Sequence, residues 1–425
     1  HKGTVYVAAT AYKFGDYTPY LYKTDNYGES WTLITNGIKD NYYTRVIRTD
    51  LVREGLLYAG TEWGMYISFD DGKSWAPFQL NLPITAIRDL QVRDNDLIVA
   101  THGRSFWIID DLTPLHQISS EVANSDFYLY KPDTSYRMHQ SGGWNEPDPK
   151  LVGKNHPDGV IINYVLNKFH ESDSVQLEIL EKDGTLIQRY STSAKENKLD
   201  PTATKQLKVK AGGNHMVWDM RYQGYKSFEG MIFYSSPNKG PKAIPGIYKL
   251  KLTVNGTSKE QEFKIVKDPR LPNTQSDYQE QFDFLIVVRD QVSKANEAII
   301  KIRSIQKDLK YLKEKTKDND AIQQLVSDYE TELSIIENNI HMTKNQSRQD
   351  PLNYGIRINN RIAFLLADSQ RGDFAPTQQA KQFFKEITDE LNVELKNLSH
   401  LIDKQTEIVN SKVKQEDIKM ISSEQ

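Results

Sequence analysis

Apolar and polar residues alternate along this chain in two rhythms, and the change between them falls at Lys267-Asp268-Pro269-Arg270. Before that point apolar side chains recur at alternate positions in short runs broken by Gly, Asn and Asp, as in strands with a buried face. Residues 4–10, 57–61, 65–68 and 75–78 read this way, and so do 159–165, 174–180, 186–190, 213–219 and 245–252. Asp183-Gly184 stands at a hairpin turn between two of these runs. After that point apolar residues fall at three- and four-residue steps: Phe282, Leu285, Val288, Val292, Ala295 and Ile299, then Ile322, Leu325, Tyr329, Leu333 and Ile336. Two further stripes, Ile358–Ile362–Leu365 and Phe384–Ile387–Leu391–Leu398, complete four amphipathic helices with short connections, the pattern of an antiparallel bundle. Ser276-Asp277-Tyr278-Gln279 reads as the capping box that opens the first.

The first strand region repeats itself. Thr24-Asp25-Asn26-Tyr27-Gly28-Glu29-Ser30-Trp31 returns as Ser68-Phe69-Asp70-Asp71-Gly72-Lys73-Ser74-Trp75, with Gly28 to Gly72 and Trp31 to Trp75 both 44 positions apart. In each copy a short polar side chain (Asn26, Asp70) can accept bonds from nearby amides in a tight turn, and the glycine accepts a positive φ. The tryptophan then supplies a plate to pack between neighbouring sheets. A third copy is degenerate: Thr101 matches Thr61, Phe106 matches Tyr66 and Asp110 matches Asp70. A four-strand unit recurring at about 40–50 residues is the arithmetic of a β-propeller.

These octapeptides resemble the Asp-box of bacterial neuraminidase-type repeats. Together with Ala100-Thr101-His102-Gly103-Arg104-Ser105-Phe106-Trp107, they resemble the closing blades of bacterial sortilin-like propeller proteins, a group also labelled glycosyl hydrolase or sortilin N-terminal domain. The resemblance implies a multidomain protein of mixed β and α class. Residues 1–118 are expected as two full blades plus part of a propeller, and residues 126–270 as an Ig-like β-sandwich. Residues 274–420 are expected as the helical bundle. Trp218-Asp219 and Pro245-Gly246-Ile247-Tyr248 resemble the Ig-like domain of flagellar hook-capping proteins, which makes Trp218 and Tyr248 core anchors. Residues 113–125 read as a linker and residues 142–149 as an exposed loop. The chain enters its first blade at the second strand, so a larger protein or a partner chain is expected to supply the remaining blades. The competing reading is a small open sheet.

Composition narrows the chemistry. The net charge of −3, from 54 basic and 57 acidic residues, offers no electrostatic footprint for nucleic acid. No apolar run is long enough to span a membrane. The absence of cysteine removes disulfides and thiolate chemistry. No HExxH, phosphate-loop, GxSxG or GxGxxG pattern is present, and nine scattered His residues lack metal-ligand spacing, so neither metal nor cofactor is expected.

What remains is the propeller end opposite the Asp-boxes, because successive turns of a blade alternate between its ends. Glu62 and Trp63 of one blade fall there beside His102 and Arg104 of the next, and a long excursion over residues 11–19 adds Tyr12, Phe14, Asp16 and Tyr17. Aromatics with an acid, an Arg and a His suit stacking and hydrogen bonding to a peptide, protein or glycan. The plainer alternative is a Glu62–Arg104 salt bridge with the aromatics filling the channel. The box residues Asn26, Gly28, Trp31, Asp70, Gly72 and Trp75 are structural in either case. The resemblance therefore implies an exported binding or scaffold protein that is not itself catalytic. The alternative is a propeller glycoside hydrolase, sialidase- or xyloglucanase-like, whose catalytic residues lie mostly outside this chain.

Overall fold

Three antiparallel sheets follow one another in His1–Asp126, the first of the two units into which the chain divides; the second is Phe127–Gln425. The computed structural model describes residues 1–138, 153, 155–195 and 197–416, so residues 142–149, expected as a loop, lie outside the described residues. The first sheet is β1 (Val5–Ala11), β2 (Asp16–Thr24) and β3 (Thr32–Leu33). The second is β4 (Thr44–Thr49), β5 (Leu57–Thr61), β6 (Gly64–Ser68) and β7 (Ala76–Pro77). The third is β8 (Ile87–Arg93), β9 (Asp96–Thr101) and β10 (Phe106–Ile109). In each sheet the strands pair in chain order.

Every residue of β5 and β6 is buried, because the middle sheet is covered on both faces. Alternation sorts its side chains. Leu57, Ala59 and Tyr66 pack with Leu21 and Ile34 of the first sheet, while Tyr58, Met65 and Ile67 pack with Leu90, Leu97 and Val99 of the third. The outer sheets bury one face each, which leaves Val5 and Val7 exposed on β1 and Phe106 and Ile108 exposed on β10.

Both octapeptides form the same turn. Asp70 Oδ1 accepts from Ser68 Oγ (2.8 Å) and Ser74 N (2.9 Å), and Asn26 Oδ1 accepts from Thr24 Oγ1 (2.8 Å) and Ser30 N (3.0 Å). Gly28 and Gly72 take φ of 91° and 81°, the left-handed region where a side chain is strained. The tryptophans differ. Trp75 is buried between the first two sheets and donates from Nε1 to the Ile34 carbonyl (2.7 Å), whereas Trp31 is 46% exposed. Among the described residues Trp31 packs against no second sheet, so the expected wedge forms at Trp75 and not at Trp31.

Residues 113–125 are also not a free linker. They form α1 (Thr113–Gln117) and α2 (Ser120–Asn124), and Arg53 Nη1 donates to the carbonyls of Leu115 and Ile118, each at 2.7 Å. His116 Nε2 lies 3.1 Å from the buried Asp50 carboxylate. An arginine reaching otherwise unbonded helix-end carbonyls draws the segment back onto the second sheet.

The second unit opens with β11 (Phe127–Leu129), β12 (Ser135–Arg137), β13 (Val160–Leu166), β14 (Val175–Glu181) and β15 (Leu186–Ser191). It continues with β16 (Lys205–Gln206), β17 (Gly212–Trp218), β18 (Gly246–Val254) and β19 (Thr257–Lys267). One sheet runs β11-β13-β17 and the other β12-β19-β18-β14-β15-β16, and they share a single apolar core. Trp218 sits in it, edge-on to Tyr248 (6.2 Å) and Phe263 (6.1 Å).

Helices follow: α3 (Gln275–Lys315), α4 (Asp320–Ile340), the one-turn α5 (Pro351–Tyr354), α6 (Ile358–Asp368) and α7 (Gln378–Gln415). Their apolar stripes meet in one cluster, which also takes in Tyr225 and Phe228 from the segment between β17 and β18. The cap of α3 lies two residues before the expected one. Thr274 and Asp277 make the reciprocal box, because Asp277 at the third helical position bonds back to the Thr274 amide (2.7 Å). The buried Arg137 on β12 donates to Asp373 (2.9 Å), Gln281 (3.0 Å) and the Ala243 carbonyl (2.8 Å), joining strand, α3 and the segment after α6. Among the described residues no helix is long and apolar enough to cross a membrane.

Candidate functional site

The inner strands β4 and β8 carry the same irregularity. Thr44 faces Thr61 and Val46 faces Gly60, so Arg45 is an extra residue in β4; Ile87 faces Thr101 and Asp89 faces Ala100, so Arg88 is extra in β8. Such bulges re-aim the inserted side chain out of the regular pleat. Both lie beside the hairpin that leaves the next strand. The Glu62 amide donates to the Tyr43 carbonyl (3.1 Å), and the His102 amide donates to the Ala86 carbonyl (2.8 Å). Thr61 and Thr101 close these hairpins alike, donating to the carbonyls of Gly64 (2.9 Å) and Ser105 (2.6 Å). A Cβ on Gly60 would stand 2.6 Å from Ile87 Cγ2, so the sheets approach each other at this end. Thr44 Oγ1 ties the first sheet in through the Tyr20 carbonyl (2.8 Å).

An aromatic and charged cluster results. Arg45 Nε donates to Glu62 Oε2 (2.6 Å) and Arg45 Nη2 donates to Tyr43 Oη (3.0 Å). The guanidinium lies 5.0 Å from the Tyr43 ring centre and 5.4 Å from that of Tyr12, cation–π distances. Tyr12 stacks on Tyr43 at 4.9 Å and 17°, with Tyr17 at 6.0 Å. Burial pushes the Tyr43 hydroxyl pKa above its ordinary value. Phe14 (91% exposed) and Trp63 (52% exposed) stand at the rim in solvent.

Several expectations change here. Glu62 pairs with Arg45, not with Arg104, whose Nη1 instead donates to the Gly103 carbonyl (3.1 Å). The excursion over residues 11–19 shrinks to a single 3₁₀ turn at Tyr12–Phe14, because β2 already begins at Asp16. Asp16 accepts from Tyr20 Oη (2.6 Å) and Thr18 N (2.9 Å), bonds that hold its pKa below the usual carboxylate value. Both acids expected at this end are therefore engaged internally. His102 accepts at Nδ1 from Arg88 Nε (3.1 Å). Tyr43, Arg45 and Arg88 were absent from the expected set. Aligning the inner strands as well as the turns would have found the two arginines, since Arg45 and Arg88 stand 43 positions apart. The Asp70 turn of the second octapeptide lies at the other end of β6, five residues or about 16 Å away.

The second unit holds a polar cavity of about 250 Å³ beside Asp200, Asp219, Arg221 and Lys239. Its half-buried arginine is held in place: Arg221 Nη1 donates to the Gly240 carbonyl and to Gln370 Oε1, each at 2.7 Å.

No family model matches the chain, and no curated protein matches it. Among solved structures it is similar to an ancestral GH74 enzyme, with 22% identity over 23% of this chain and 12% of that one and a TM-score of 0.19. It is similar to YCF48 bound to D1 peptide, with 25% identity over 19% of this chain and 27% of that one and a TM-score of 0.16. It is also similar to the extracellular domain of a one-component system from B. thetaiotaomicron, with 10% identity over 63% of this chain and 31% of that one and a TM-score of 0.20. The chain spans less than a third of the length of each, and at these TM-scores the likenesses carry no argument.

Proposed function

We propose that this chain is part of an exported, sortilin-like Asp-box propeller protein that binds a peptide, protein or glycan at the hairpin end of its sheets. On this reading residues 1–118 are propeller blades with structural Asp-boxes, residues 126–270 an Ig-like sandwich and residues 274–420 a helical bundle. The exposed Val5 and Val7 on one side, and Phe106 and Ile108 on the other, are faces against which further blades pack, from the same polypeptide or a second chain. The observation that carries the binding role is the Tyr12–Tyr43–Arg45–Glu62 cluster with Phe14 and Trp63 exposed at its rim. Large apolar rings held in water beside a fixed guanidinium suit a ligand that stacks and accepts hydrogen bonds. Asp16 and Glu62 are each bonded within this surface, to Tyr20 and Arg45, so this surface by itself does not supply the opposed pair of carboxylates, roughly 5–9.5 Å apart, that most glycosidases use. Arrays of peptides and glycans test the reading. Binding that falls on Trp63→Ala and Phe14→Ala, with the melting temperature unchanged, supports it; a ligand indifferent to both removes it.

A further inference from the structure

Arg137, Arg221 and Lys242 of the second unit lie close enough to repel one another, and two of the three meet a carboxylate. Arg137 pairs with Asp373 and Lys242 with Asp158, each at 2.9 Å. Arg221 is half-buried and forms no ion pair. Its Nη1 is held by the Gly240 carbonyl and Gln370 Oε1, while its Nε and Nη2 meet no partner and are not sealed from solvent. Arg221 lines the cavity of about 250 Å³, whose wall sets Lys198, Lys205, Arg221 and Lys239 against Asp200 and Asp219. From this we infer that the cavity binds the oxyanion, a phosphate or a carboxylate, of a small polar molecule. The site lies wholly within the second unit and is independent of the binding surface proposed at the hairpin end.

Uncompensated charge carries the argument. A guanidinium keeps its proton inside a protein, so burying one without a counter-ion costs free energy that a bound anion recovers. Burial pulls the Arg221 pKa below its ordinary value; Asp219 opposes this and Arg137 adds to it. Asp219 does not supply the missing pair, because its Oδ1 accepts from the Arg221 main-chain amide (3.2 Å) and not from the guanidinium. Asp200 is turned to Thr202, whose amide (2.9 Å) and hydroxyl (2.7 Å) both donate to it. With Nη1 clamped, Arg221 keeps the Nε and Nη2 edge of its fork, two parallel donors that match two oxygens of one anion. Lys205 and Lys239, exposed and without ion pairs among the described residues, add charge of the same sign, so the wall repels a cation. The volume has room for roughly eight waters, which fits one small molecule.

The test is isothermal titration of the full chain, at low ionic strength and neutral pH, with inorganic phosphate, glucuronate and uncharged glucose. Saturable binding of phosphate, of glucuronate or of both at one site, with none of glucose, is expected; phosphate alone assigns a phosphate group and glucuronate alone a carboxylate. Arg221→Gln should weaken that binding roughly tenfold or more, the scale of lost hydrogen bonds to a charged group. Arg221 also holds Gly240 and Gln370, so its variant is compared with two that leave those bonds in place. Lys239→Gln should weaken binding severalfold. Asp219→Asn keeps an acceptor for the Arg221 amide, removes a like charge from the anion's surroundings and should tighten binding. Arg93→Gln, an exposed arginine of the other unit, should change nothing. Melting curves confirm that each variant is folded. Neither anion saturating, glucose binding as well as the anions, a folded Arg221→Gln that binds like wild type, or weaker binding in Asp219→Asn would each overturn the inference.

Discussion

At the scale of single residues, the most consequential burial is that of His341, which ends α4. Its ring stands edge-on to Phe228 at 4.9 Å, lies 6.2 Å from Phe233, and bonds Asn359 through Nδ1 at 3.2 Å. Burial, reinforced by the nearby Arg303, pushes its pKa down to about 4, and the bond to Asn359 only partly offsets this. The folded state therefore favours the neutral ring. Between pH 6.5 and 4 the unfolded chain binds the proton that the folded chain refuses, so stability present above pH 6.5 is lost as pH falls through this window. The total is on the order of 3 kcal/mol. Urea midpoints measured from pH 7.5 to 4 should fall, and His341→Gln should flatten that part of the profile. An unchanged slope in the variant would assign the acid sensitivity elsewhere.

At the scale of elements, the turn of the repeated octapeptide at Asp70 is held by bonds that begin and end within eight residues. Asp70 accepts from Ser68 and Ser74, and Gly72 N donates to Ser68 Oγ at 2.9 Å. Asp70→Ala removes the acceptor but leaves β6 and its buried pairing intact. We expect a loss of about 1–2 kcal/mol in denaturant midpoint, the scale of lost turn bonds, with ligand affinity unchanged. A large loss of binding without a shift in stability would contradict a structural role, since the turn lies at the far end of β6 from the Arg45 cluster.

At the scale of the whole molecule, the helices of the second unit do not close their core alone. Tyr225 and Phe228 insert into it, Asn296 Nδ2 donates to the Lys226 carbonyl (2.7 Å), and Asn360 Oδ1 accepts from the Tyr234 amide (2.7 Å). A protein of residues 274–416 should still be helical by circular dichroism. It should melt below one that begins at residue 219 and restores both aromatic side chains, because burying each is worth roughly 1.5–3 kcal/mol. Equal melting temperatures would mean that the helices need nothing from the preceding segment.

The parts readable in the sequence were those whose causes are local. The 44-residue repeat, the turn glycines and the three- and four-residue stripes each state their structure within a few neighbouring positions, and β6 and the long helices stand where those patterns put them. Trp218 and Tyr248 were expected as core anchors from the resemblance of their flanking residues, not from any periodicity, and both rings are buried in the core of the second unit. Tertiary structure alone decided the pairings. Whether Glu62 meets Arg45 or Arg104 depends on one inserted residue in β4, and a bulge leaves no mark on the pattern of apolar positions. Trp31 and Trp75 close the same octapeptide, yet one is exposed and the other buried. Burial belongs to the neighbouring sheet and not to the motif, because contact is set by which surfaces meet once the chain has folded.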